Sequence, residues 1–206
     1  NQDMNIDDIK NMAVIGAGNM GHQIAMLCAI HGYKTVCTDI NTEILNKAEN
    51  FADTYLAGRV KKGRLTEEQA KAARERISFT SSMAEAVKDA DYVIEAVLEV
   101  LDLKRKIFAD LDKMAPAHAI LASNSSAIIS SRIADATNRP EKVLNVHFFN
   151  PALVMKLVEV VQGPHVSDET REITMTLCEK LEKVPVHLKK EVDGFLLNRI
   201  FGAITR

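Results

Sequence analysis

Eight short runs of strand-like composition punctuate the chain: NMAVIGAG, KTVCTDI, RISFTS, YVIEAV, AILASNS, VLNVHFF, MKLVEVV and VPVHL. Helical patterns separate most of them, and that alternation admits few folds. Neighbouring strands joined through a helix run parallel, so the pattern specifies a mostly parallel sheet with helices on its faces. No internal repeat or low-complexity segment interrupts it.

Two places depart from the alternation. Between KTVCTDI and RISFTS, Ile44, Ala48, Phe51 and Tyr55 follow helical spacing. Gly63 ends that helix, and Thr66-Glu67-Glu68-Gln69 supplies a capping box for a second one. The expectation is a helical hairpin projecting between the second and third strands. Between VLNVHFF and MKLVEVV stand only Asn150-Pro151-Ala152-Leu153-Val154, too few for a crossover helix, so these two strands should pair antiparallel. The final FLLNRIFGAITR reads as an apolar helix without a C-terminal cap signal. We expect it to continue, which makes residues 1–193 one domain and 194–206 the start of a connecting helix.

Composition narrows the function classes. With 206 residues, 47% of them hydrophobic, the chain can bury a substantial core. A formal net charge of -2 argues against a general nucleic-acid binder. Cys28, Cys37 and Cys178 are scattered and lack metal-site spacing, so they read as reduced core residues, with no metal expected. The N-terminal NQDMNIDDIK has no apolar stretch of the secretory kind, and no run approaches a membrane span. These features lead us to expect a cytoplasmic protein without membrane or nucleic-acid partners.

The first chemical motif is AVIGAGNMGHQIAMLCAIHG, in which Gly16, Gly18 and Gly21 form a GxGxxG between a strand and a helix carrying Ile24, Leu27 and Ile30 inward. Glycine is needed three times over: for the tight turn, for close approach of a pyrophosphate, and for helix–strand packing. The helix N-terminus adds free N–H groups and the positive end of its dipole. The turn residues Gly16, Ala17, Gly18, Asn19, Met20 and Gly21 are therefore the expected dinucleotide contacts. Asp39 at the end of KTVCTDI is placed to hold the adenine ribose hydroxyls, and its charge disfavours a 2′-phosphate, so NAD is expected over NADP. His22 reads as a packing residue. The fold class is a Rossmann-like, doubly wound α/β domain with one antiparallel strand addition.

Polar groups also collect at strand ends, where an open parallel sheet binds its ligands. Glu95 and Glu99 follow the fourth strand, Ser123-Asn124-Ser125-Ser126 the fifth, and His147 and Asn150 the sixth. In a hairpin, residues equally far from the turn face each other, which makes His147 and Glu159 neighbours. Oxidising an alcohol with a nicotinamide needs a base for the hydroxyl proton and donors for the substrate oxygen. His147 as base, Glu159 as its orienting acid and Ser126 as hydroxyl partner fit that requirement. A core histidine with satisfied hydrogen bonds and a helix-capping serine fit the spacing as well.

Taken together, GAGNMG with Asp39, ASNSS, HFFNP followed by MKLVEV, and GFLLNR resemble the NAD-binding domain of the L-3-hydroxyacyl-CoA dehydrogenase family, from about Met12 to the end of the chain. The hairpin ending RVKKGRLTEEQ looks most like the bacterial 3-hydroxybutyryl-CoA branch. The resemblance implies a catalytic histidine at His147, its paired glutamate at Glu159, an active-site serine at Ser126 that meets both substrate and cofactor, and a substrate-holding asparagine at Asn198. It implies cofactor contacts at the glycine turn, Asp39, Glu99, Lys104 and Asn150. Of the basic cluster Arg59, Lys61, Lys62 and Arg64, it singles out Lys62 for CoA.

The implied reaction is NAD-dependent oxidation of a short-chain (S)-3-hydroxyacyl-CoA to the 3-ketoacyl-CoA, or its reverse. The resemblance also implies a second, all-helical domain after GFxxNR that forms most of a homodimer interface, and we expect residues 194–206 to be only the start of the helix that leads to it. Two positions depart from the family pattern: Val100 stands where asparagine commonly follows the glutamate, and Ala127 where a further serine is common. Two rival readings remain: a non-catalytic NAD-binding fragment, and a 3-hydroxyacid dehydrogenase that acts without CoA.

Overall fold

The computed structural model describes residues 3–193, 195 and 197–204, leaving aside the side chains of Leu197, Asn198 and Phe201. Eight strands form one sheet: β1 (Asn11–Ile15), β2 (Lys34–Thr38), β3 (Ile77–Thr80), β4 (Tyr92–Glu95), β5 (Ile120–Ser123), β6 (Val143–Phe148), β7 (Leu157–Val161) and β8 (Val184–Leu188). Each falls within one of the eight strand-like runs. Their spatial order is β3-β2-β1-β4-β5-β6-β7-β8. Every pairing is parallel except β6 with β7, as the short link between them requires. The strand order reverses between β1 and β4, which opens a crevice beyond their C-terminal ends.

Helices cover both faces. They are α1 (Asn19–Ile30), α2 (Thr42–Lys61), α3 (Glu67–Arg76), α4 (Met83–Val87), α5 (Leu101–Met114), α6 (Ser131–Ala134), α7 (Asp168–Lys180) and α8 (Leu197–Ile204). Alternate residues of β1 feed opposite cores: Met12 and Val14 pack with α1 and α7, Ala13 and Ile15 with α4 and α5. Tyr92 and Phe108 are fully buried in these two layers. Burial pushes all three thiols, Cys28, Cys37 and Cys178, up to about 12, so they are inert core groups. Among the described residues no helix is long and apolar enough to cross a membrane.

The hairpin forms as α2 and α3. Asn41 caps α2 by accepting from the N–H groups of Glu43 and Ile44, and Thr66 with Gln69 makes the reciprocal capping box of α3. Gly63 between them takes φ 66°, the left-handed region that ends a helix at least cost with glycine. Ile44, Ala48, Phe51 and Tyr55 pack against the core, Ala48 buried and the other three half-buried. Leu45, Ala52 and Leu56 are buried beside them. The His22 ring meets Phe51 edge-on at 4.5 Å, and Tyr55 stacks on Phe51 at 5.4 Å. His22 thus packs α1 against α2, as a packing residue should.

Candidate active site

The crevice begins at the turn after β1. Gly16 sits at φ 99°, and a Cβ there would come within 2.7 Å of Ala96 O. A Cβ on Gly21 would lie 1.7 Å from Gly16 O, so the first turn of α1 can lie against the strand only with glycine at that position. Gly18 is different: a Cβ there would meet nothing within 4 Å, because that side of the residue faces the open crevice. The first N–H groups of α1 have no partners within the helix and no capping side chain at Gly18. Turn and helix end together make an anion cradle of the kind a pyrophosphate fills.

Asp39, just beyond β2, braces that cradle. One of its oxygens accepts from Ala17 N at 2.9 Å and the other from Asn41 N at 2.9 Å. The carboxylate expected at a ribose therefore also fixes the glycine turn and leads into the cap of α2.

Beyond the turn the crevice has a volume of about 580 Å³, lined by Gly18–Met20, Ala96–Glu99, Lys104, Asn124–Ser126 and His147–Asn150. Most of the expected site residues meet there: Gly18, Asn19, Met20, Glu99, Lys104, Ser126, His147 and Asn150. Ser126 is half-buried and makes no hydrogen bond with the other described residues. Asn150 is exposed at the rim. Asn124 supports this region, its Oδ1 accepting from Phe148 N at 2.9 Å.

His147 and Glu159 are directly opposed in the antiparallel register of β6 and β7. Nδ1 of the histidine lies 3.1 Å from Oε1 of the glutamate, and the residues are only 6% and 1% exposed. A carboxylate accepts, so Nδ1 donates to it, which in a neutral imidazole leaves the lone pair on Nε2. The imidazole is also held by Phe149, 4.5 Å away between ring centroids, and by Phe195 at 5.6 Å.

Gly16, Ala17 and Gly21 form the turn at the head of this crevice and Glu159 stands against His147, while Asp39 and Lys62 do not line it. Asp39 accepts from Ala17 N in that turn. Lys62 is an exposed residue at the C-cap of α2. Asn198 lies on α8, and its side chain is outside the described residues. Conversely, Glu95, noted in the sequence without a role, is fully buried beneath the crevice against Lys104. Ser125 holds Glu99, Oγ to Oε2 at 2.5 Å, and accepts from Ile128 N at 2.7 Å. A lone acid inside the apolar run YVIEAV was the only signal for the first. Nothing in the sequence ranked Ser125 above the serines beside it.

Residues 11–192 match the family model described as 3-hydroxyacyl-CoA dehydrogenase, NAD binding domain. A Bacillus subtilis protein named "Probable 3-hydroxybutyryl-CoA dehydrogenase" is 40% identical over 94% of this chain. The mitochondrial hydroxyacyl-coenzyme A dehydrogenase of Rattus norvegicus is 39% identical over 93% of it. The crystal structure of 3-hydroxybutyryl-CoA dehydrogenase from Escherichia coli superposes with a TM-score of 0.90 at 38% identity, covering 93% of this chain. The chain spans 67% and 62% of the length of the two curated relatives and 40% of the crystallised chain.

Proposed function

The chain belongs to the 3-hydroxyacyl-CoA dehydrogenase family through its NAD-binding domain, and on that premise we propose that it carries out NAD-dependent oxidation of a short-chain (S)-3-hydroxyacyl-CoA, or the reverse reduction. The observation that carries this reading is the His147–Glu159 pair opening onto the crevice that starts at the glycine turn. The names of its relatives support 3-hydroxybutyryl-CoA as the substrate.

The chain's own groups divide the work. The backbone of Gly18, Asn19 and Met20 would hold the pyrophosphate of NAD, and Asp39 the adenine ribose. Glu99, Asn150 and Ser126 line the rest of the cofactor's path. NAD, when bound, supplies the hydride acceptor. His147 takes the proton of the substrate 3-hydroxyl at Nε2, while Glu159 holds Nδ1–H and stabilises the imidazolium that results. The Ser126 hydroxyl, with Asn198, steadies the oxygen as it becomes a ketone. Lys62 on the hairpin meets a CoA phosphate as a charge-assisted partner.

The test is oxidation of NADH by the purified protein on addition of acetoacetyl-CoA, followed as loss of nicotinamide absorbance. Turnover with the thioester and none with free acetoacetate supports the reading. Equal rates with both substrates would favour an enzyme that does not need CoA. NADH binding without turnover on either would reduce the assignment to a cofactor-binding domain.

A further inference from the structure

Two carboxylates flank one ammonium in the crevice wall. Glu95 at the end of β4 and Lys104 on α5 are both fully buried, with Nζ 2.6 Å from Oε2. Lys104 Nζ also lies 3.2 Å from Glu99 Oε1 and 3.3 Å from Val97 O. The contacts with Glu95 and Val97 are hydrogen bonds, and the contact with Glu99 is an ion pair. Glu95 is held as fully: Ser123 Oγ donates to its Oε1 at 2.7 Å and Val97 N to its Oε2 at 2.7 Å. Glu99 is the one member that reaches solvent, its side chain 42% exposed, and it lines the crevice. One positive and two negative groups leave a formal charge of −1 on this wall.

A buried ion pair adds little net stability over apolar groups of the same volume. Its position directly behind the crevice calls for another role. We propose that Glu95 and Glu99, set against the single charge of Lys104, give the wall a net negative charge that favours the oxidised nicotinamide cofactor over the reduced one. The inference rests on the reading of the crevice as an NAD site. A ligand that runs from the glycine turn to His147 passes Ala96–Glu99, because the same cavity is lined by all of them. The oxidised nicotinamide ring carries a positive charge that the reduced ring lacks. A wall of charge −1 therefore strengthens binding of the oxidised form selectively, and more so in a partly buried crevice than in water.

The experiment is calorimetric titration of the protein with NAD+ and, separately, with NADH. The variants are Glu95→Gln, Glu99→Gln and the double variant Glu95→Gln/Lys104→Met, each with its Tm recorded. Both single variants bring the wall to zero charge, and each should raise the Kd for NAD+ relative to that for NADH by about five- to tenfold. The double variant returns the wall to −1 without an unpaired buried charge, and its ratio of the two constants should return to the wild-type value. A purely structural role would weaken both nucleotides equally and leave the ratio unmoved in every variant, which overturns the proposal. A double variant that keeps the ratio of Glu95→Gln overturns it too. If Glu95→Gln does not fold, Glu99→Gln, with the buried pair whole, and the double variant still decide. Wild-type protein that binds neither nucleotide would overturn the cofactor reading itself, a result distinct from an unmoved ratio.

Discussion

Nδ1 of His147 lies 3.1 Å from Oε1 of Glu159, across the only antiparallel pairing in the sheet of the described residues. Sheet register delivers this contact, and no loop is involved: the two residues are exact cross-strand partners, so backbone hydrogen bonds hold both side chains in place. The two side chains are thus held as firmly as the sheet itself. Replacing His147 by Ala should lower kcat by about 10²- to 10⁴-fold and leave the Kd for NADH unchanged. Glu159→Gln removes charge but keeps an oxygen near Nδ1, so its loss of kcat should be smaller. Steady-state rates with acetoacetyl-CoA, beside NADH titrations, check both. A His147→Ala variant with largely intact kcat would remove the histidine as the base.

The glycines of the turn should separate by experiment into structural and binding positions. A methyl group on Gly21 would collide with Gly16 O at 1.7 Å, so Gly21→Ala should destabilise the fold by about 1–3 kcal/mol. Gly18→Ala meets no protein atom within 4 Å and should leave Tm nearly unchanged while weakening NADH binding. Thermal melts and nucleotide titrations of the two variants should therefore give opposite patterns.

Arg139 ties the loop before β6 to the end of α5, donating to Asp112 Oδ1 at 2.8 Å and to the carbonyls of Pro116 at 2.7 Å and Ala119 at 3.1 Å. It is 7% exposed, so Arg139→Met leaves Asp112 and several carbonyls without their donor and should cost about 3–5 kcal/mol. Burial alone would raise the carboxyl of Asp112, but the Asn138 N–H and the Arg139 side chain outweigh it and hold the group below its ordinary value of 3.8. A carboxyl lowered on folding stabilises the native state above its unfolded value, and that contribution is lost as pH falls through the folded one. Wild-type protein should therefore lose stability more steeply than Asp112→Asn on acidification from about pH 5 downward. Urea melts across that range read the difference.

How much of this was legible from sequence follows from what period and spacing encode. The His147–Glu159 contact could be read because the link from Asn150 to Val154 allows one pairing geometry, and the register then follows. The eight strands were legible because each is a short apolar run between turn residues or helical patterns. The depth of burial along α2 was not: helical period picks out Ile44, Ala48, Phe51 and Tyr55, all packed on the core, but not that Leu45, Ala52 and Leu56 are buried more deeply. Burial of Lys104 was equally hidden. A lysine in the first turn of an amphipathic helix reads as solvated, and only the sheet beneath it shows that Glu95 waits there. Sequence pattern reports which side of an element is wet, and polar pairs buried between layers escape it.

Asp39 braces the glycine turn, and the cofactor role proposed for it can be tested apart from that one. Its oxygens accept from Ala17 N and Asn41 N, so removing the side chain would loosen the glycine turn whatever it does to a ribose. Asp39→Asn is the informative change. It keeps an acceptor for one of those N–H groups while removing the charge that repels a 2′-phosphate. The expected outcome is a Tm within a few degrees of wild type and a Kd for NADPH that falls toward that for NADH by about tenfold. Parallel titrations with NADH and NADPH measure this directly. If the ratio of the two constants stayed put, the carboxylate would be serving the turn alone, and selectivity against the 2′-phosphate would have to come from the shape of the loop after β2.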